Sequence, residues 1–123
     1  MTRCGAPDLE GADLRGANMS GLDLRRGQFA VTNVADADLT SADLSGVNVD
    51  GGTFDRAVLD GADLTGAVPT SCMLSNASLV GASLVRADLR EATLASADLR
   101  GASLTDALLP ADPRSPYRPL SRS

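Results

Sequence analysis

An apolar residue stands at every fifth position from Leu9 to Leu109, and the frame never slips. Fifteen of these twenty-one positions are Leu; the others are Met19, Phe29, Val34, Val49, Phe54 and Pro69. Two residues earlier, fourteen of the twenty-one units carry Ala. The residue between is usually Asp, Asn, Ser or Thr, so the chain reads Ala-Asp-Leu-x-x at Ala12-Asp13-Leu14, Ala42-Asp43-Leu44, Ala62-Asp63-Leu64, Ala87-Asp88-Leu89 and Ala97-Asp98-Leu99. A repeat this strict decides the architecture before composition does.

A period of five suits neither regular structure. On an α-helix each Leu would sit roughly 140° round from the last, and no apolar stripe would form. On a flat strand an odd period sends successive Leu to opposite faces. A chain that turns a corner every five residues does gather them. Four corners close a square coil of twenty residues, with Leu and the small residue two earlier pointing inward. Three outward positions remain, and the turn formers Gly, Asp, Asn and Ser collect there.

On these motifs the chain resembles the pentapeptide-repeat proteins over residues 7–109. That resemblance implies an all-β fold, a right-handed quadrilateral parallel β-helix. Residues 7–109 then form a solenoid of about five coils, roughly 25 Å long at the spacing of hydrogen-bonded strands. Residues 1–6 are a lead-in. Residues 110–123 form an extended or disordered tail, because Pro110, Pro113, Pro116 and Pro119 recur every three residues and forbid a helix. Tyr117 and Leu120 of the tail are expected to dock over the open rod end, because a solenoid end needs covering. The inward residues stack in four ladders twenty apart; Leu64 and Leu84 are expected to be buried, Asp43 and Asp63 exposed. Pro69 has no amide hydrogen, so one rung is expected to be missing there and the coil around 67–72 to leave the regular square.

Composition narrows function. The chain has no His and no Lys. That removes the commonest general base, Ser-His and Cys-His pairs, and Schiff-base chemistry, so no catalytic residues are expected. No metal site and no cofactor are expected either, since aligned Asp residues read as solvated turn formers. Cys4 and Cys72 fall on different sides and more than three coils apart, too far for a disulfide. No apolar run reaches the ~20 residues of a membrane helix, and no leader precedes the first repeat. The cytosol is therefore the expected compartment.

Charge and exposed apolar residues supply the candidate surfaces. The formal charge is −5, and the acids crowd the middle of the repeat. Asp23, Asp43 and Asp63 recur at twenty-residue spacing and should stack on one side; Asp38, Asp50, Asp55 and Asp60 complete a candidate acidic surface. Val58, Val68, Met73, Val80 and Val85 replace outward polar residues and form a candidate apolar surface. Both point to a protein partner rather than to direct nucleic-acid or membrane binding. The leading expectation is a non-catalytic interaction module or scaffold. The resemblance implies a second: some family members mimic DNA and bind type II topoisomerases, chiefly DNA gyrase. This chain departs from that subgroup in having fewer coils, no C-terminal dimerisation helices and no inserted loop. Pairing of two copies through an open rod end is a further expectation.

Overall fold

The computed structural model describes residues 9–25, 27–69 and 71–110. The expected lead-in and nearly all of the expected tail, with Cys4, Tyr117 and Leu120, lie outside the described residues.

The five-residue unit is a three-residue span followed by a two-residue turn. Within each turn the small residue's N–H donates back to the preceding ladder carbonyl, as Ala42 does to Leu39 and Ala62 to Leu59, both at 3.0 Å. The second turn residue has a positive φ at nearly every described corner, 60° at Ser41 and 68° at Gly61, as a type II turn requires. The middle residue of each span bridges, in parallel, the residue twenty positions later: Asp23 to Asp43, Asp43 to Asp63, Asp63 to Ser83. Two bonds define each bridge; the Leu44 N–H reaches Asp63 O at 2.7 Å and the Asp63 N–H reaches Ala42 O at 2.9 Å. The coil is thus square with twenty residues per turn, as expected. The sides carry isolated bridges rather than continuous strands, because three residues between corners leave room for only one paired residue.

We number the sides in chain order. Side 1 carries the outward residues Gln28, Asn48, Val68, Asp88 and Leu108; side 2 carries Asp13, Asn33, Thr53, Met73 and Thr93. Side 3 carries Asn18, Asp38, Val58, Ser78 and Asp98; side 4 carries Asp23, Asp43, Asp63, Ser83 and Ser103. The ladders behind them form one core, in which Leu64 and Leu84 are buried and Leu44 and Leu99 have no exposure. The inward polar exception is Thr32, fully buried, whose Oγ1 donates to Leu9 O at 2.6 Å and ties the second coil to the first. Leu22 occupies a small-residue position in the first described coil and is 46 % exposed, where its neighbours Ala12 and Ala17 are also only partly covered.

Pro69 behaves differently from expectation in one respect. The rung is missing: among the described residues, Val68 and Asp88 are the one in-register interior pair that does not bridge. The coil nevertheless stays square. Pro69 is buried in the ladder, the Cys72 N–H closes the turn on Pro69 O at 3.1 Å, and the bridges on either side, Asn48–Val68 and Thr53–Met73, are in register. The fixed φ of proline fits the span, so only the donor is lost.

One corner is strained. Val31 sits at φ 48°, at a corner position that carries Gly at nine of the nineteen described corners and elsewhere a residue unbranched at Cβ, and it is 60 % exposed. A left-handed backbone costs an L-residue about 1–2 kcal/mol, and a β-branched side chain is among the worst suited to it. Val31→Gly should therefore stabilise the rod by about 1 kcal/mol, allowing for the greater freedom glycine gives the unfolded chain. Urea denaturation checks this; an unchanged or lower midpoint would show that Val31 is not under strain.

Candidate functional site

The acidic residues acquire their geometry from the turns they precede. Asp at the middle of a span accepts from the backbone two residues on: Asp23 Oδ1 from the Arg25 N–H at 3.2 Å, Asp43 Oδ1 from Ser45 at 3.1 Å, Asp63 Oδ1 from Thr65 at 3.0 Å. Asp38 on side 3 takes the Thr40 N–H at 3.0 Å and the Thr40 hydroxyl at 2.6 Å, and these bonds hold its carboxyl below the usual range. Each is an Asx turn, the physical reason the repeat favours Asp there. Asn does the same at Asn18, Asn33 and Asn48.

Five of the seven candidate acids gather around one edge of the rod. Asp23, Asp43 and Asp63 stack on side 4, as expected from their spacing, but Asp43 and Asp63, expected to be exposed, are half-buried between neighbouring coils. Asp38 lies on the adjoining side 3, and Asp60 stands at the corner between them, where it accepts from the Val80 N–H at 3.1 Å and from the Ser78 hydroxyl. Asp50 stands at the opposite corner, between sides 1 and 2. Asp55 is at the corner between sides 2 and 3, and its Oδ1 is buried with no hydrogen-bond partner.

Cations divide this surface in a way the sequence reading missed. An Arg two residues after Asp clamps it through Nε and Nη2: Arg15 on Asp13, Arg25 on Asp23, Arg90 on Asp88 and Arg100 on Asp98, with N–O contacts of 2.7–2.9 Å. The signal was legible, since Asp-Leu-Arg occurs at these four places. Arg56 reaches back one coil to Asp36 at 2.9 Å, a pair that its twenty-residue spacing also announces. Arg25 further approaches Asp43 at 3.6 Å. In the middle coils Thr40, Ser45 and Thr65 stand where the Arg clamps stand elsewhere. Among the described residues, Asp38, Asp60 and Asp63 consequently have no ion-pair partner.

The clamp leaves a titration signature. The bonds from Arg25 depress the Asp23 carboxyl to about 2 from an ordinary 3.8. A carboxyl depressed in the folded state contributes stability above its unfolded pKa, and that contribution disappears as pH falls through the folded value. The clamp at Asp23 should thus be lost between about pH 4 and pH 2. Nuclear magnetic resonance titration of the Asp23 carboxyl checks this, and Arg25→Gln should return it toward its ordinary value; an unchanged midpoint in that variant would dismiss the clamp.

The candidate apolar residues do not form one patch. Val68 and Met73, 42 % and 44 % exposed, lie on sides 1 and 2. Val58 is half-buried on side 3, Val80 half-buried at the corner of sides 3 and 4, and Val85 half-buried at the corner of sides 4 and 1. Closeness along the chain carries a residue round the rod, whereas closeness on a side needs a spacing of twenty. Cys72 occupies a small inward position; burial, then the charges of Asp55 and Asp50, push its thiol up to about 12, so it is an unreactive core residue. Among the described residues no helix is long and apolar enough to cross a membrane.

The fold finds counterparts among solved structures. Rfr23, a pentapeptide repeat protein from the cyanobacterium Cyanothece 51142, is 24 % identical and aligns with a TM-score of 0.65, over 91 % of this chain and 88 % of its own. The pentapeptide repeat protein alr5209 of Nostoc Pcc 7120 is 22 % identical with a TM-score of 0.50, over 94 % of this chain and 86 % of its own. A pentapeptide repeat protein of the Arabidopsis thaliana thylakoid lumen is 30 % identical with a TM-score of 0.47, over 80 % of this chain and 72 % of its own. Among curated proteins nothing matches the chain. A family profile described as pentapeptide repeats matches in 8 copies, across residues 8–29, 32–68 and 70–109. With that match spanning most of its length, the chain belongs to the pentapeptide repeat family.

Proposed function

We propose that this chain is a non-catalytic interaction module of the cytosol, built on a right-handed quadrilateral β-helix, whose partner binds the acidic edge of its two middle coils. The observation that carries this reading is the contrast between clamped and unclamped acids. Asp13, Asp23, Asp88 and Asp98 near the rod ends are each neutralised by an Arg, whereas Asp38, Asp60 and Asp63 are not. A rod whose net charge is concentrated in its middle coils offers one localised target for a basic surface.

Charge density favours one such surface, the DNA-binding saddle of a type II topoisomerase such as DNA gyrase. Residues 28–67 form two coils and carry seven Asp against one Arg. Six net charges over about 10 Å give roughly one per 1.6 Å, close to the ~1.7 Å per charge of duplex DNA. A supercoiling assay with purified gyrase, with and without the chain, tests this second reading. Inhibition or protection that weakens with added salt is expected, because exposed charges are screened within ~10 Å at 0.1 M. Asp43→Asn with Asp63→Asn should keep the fold, since Asn already closes the same turns at Asn18 and Asn48, and should weaken the effect. No effect of the parent chain at micromolar concentration sinks the gyrase reading; equal effect of the double variant sinks charge mimicry.

A further inference from the structure

Two Asp-Gly pairs occur in the chain, Asp50-Gly51 and Asp60-Gly61, and both occupy the two turn positions of a corner. Such a pair is chemically fragile. Glycine presents no side chain to hinder its nitrogen, which can attack the preceding aspartyl carboxyl. The structure treats the two differently. Asp60 Oδ1 is held from the next coil by the Ser78 hydroxyl, and it also takes the Val80 N–H at 3.1 Å. For Asp50, the residue standing where Ser78 stands is Val68, which has no hydroxyl to donate. Asp50 is exposed, and Gly51 takes the positive φ of the corner at 73°.

We infer that Asp50 is a site of spontaneous isoaspartate formation in the folded protein, and that Asp60 is shielded. The Gly51 nitrogen attacks Asp50 Cγ in its protonated carboxyl form. The amide proton and the carboxyl hydroxyl leave as one water, and a five-membered succinimide closes. Hydrolysis takes up one water and opens the ring at either carbonyl, regenerating Asp or routing the backbone through the β-carboxyl. The net change is an isomerisation with no change in mass or charge. It adds one backbone atom to a corner whose five-residue frame has no slack. The bond from the Val31 N–H to Asp50 O, now 3.0 Å, joins this corner to the coil before it and would be displaced.

Trypsin separates the two sites, because cleavage after Arg26, Arg56 and Arg86 gives peptides 27–56 and 57–86. The full chain is held at 37 °C and neutral pH for weeks and then digested. Isoaspartate in each peptide is counted by enzymatic methylation and located by electron-transfer fragmentation. In the native chain, isoaspartate is expected at Asp50 at least tenfold faster than at Asp60. In denaturant the two rates should converge, because both pairs are Asp-Gly. Ser78→Ala, its fold checked by circular dichroism, should accelerate Asp60 and leave Asp50 unchanged. Equal native rates, a faster Asp60, no isoaspartate at Asp50, or no response to Ser78→Ala would each overturn the inference.

Discussion

Leu44→Asp should unfold the middle of the rod. Leu44 has no exposure and sits in the ladder of side 4 between Leu24 and Leu64, both nearly buried. An aspartate there has no partner among Leu, Ala and Val, and burying an unpaired charge is far costlier than losing a contact. We expect a loss of at least about 4–5 kcal/mol, in the range where a domain of ordinary stability no longer folds. Each coil contacts only its neighbours, so the damage should spread from the second coil in both directions rather than stay at one residue. Leu44→Ala separates packing from charge and should cost about 2–5 kcal/mol. Asp43→Asn, one residue away but outward, should change little. Thermal melting followed by far-ultraviolet circular dichroism reads all three. A Leu44→Asp chain that melts with the parent would mean that the ladder does not face a dry interior.

The five-residue frame was enough to place every ladder residue, because a period that fits neither helix nor strand leaves only a coil with corners. It also stacked Asp23, Asp43 and Asp63 correctly, since spacing by twenty is a statement about sides. The frame says little about what happens at a corner. It gives the same outward position to Asp23, clamped by Arg25, and to Asp63, capped only by Thr65. It likewise grouped Val58, Val68, Met73, Val80 and Val85 by proximity along the chain, although a quarter turn separates each side from the next. Pro69 shows the converse. Its missing donor is a local fact and was foreseen, whereas the survival of the square depends on neighbouring coils that hold their own bridges. Val31 was partly legible: Gly recurs at its place in the frame, at Gly11, Gly21 and Gly51, and the backbone then shows Val31 itself taking the positive φ.

The two phenylalanines define a rule of cross-section that predicts a rescue. Phe29 and Phe54 are the only Phe residues, and each has Gly two positions earlier, where most units have Ala. A Cβ placed on Gly27 would lie 2.4 Å from Phe29 Cε1 and 3.0 Å from Leu24 O, and one on Gly52 would lie 3.1 Å from Phe54 Cε1. Neither glycine needs a positive φ, so space rather than backbone freedom selects them. The tube has a fixed width, and a larger ladder residue must be offset by a smaller neighbour. Gly27→Ala should therefore overpack the second coil and cost about 2–3 kcal/mol, with Gly52→Ala milder because its contact is longer. Phe29→Leu alone should cost about 1–2 kcal/mol through the gap it leaves. Combining Gly27→Ala with Phe29→Leu recreates the Ala-x-Leu unit found elsewhere in the rod and should recover most of both losses. A double-mutant cycle by denaturant unfolding should then return a coupling of at least about 2 kcal/mol. If the two losses simply add, the side chains do not share one space, and the pairing of Gly with Phe needs another cause.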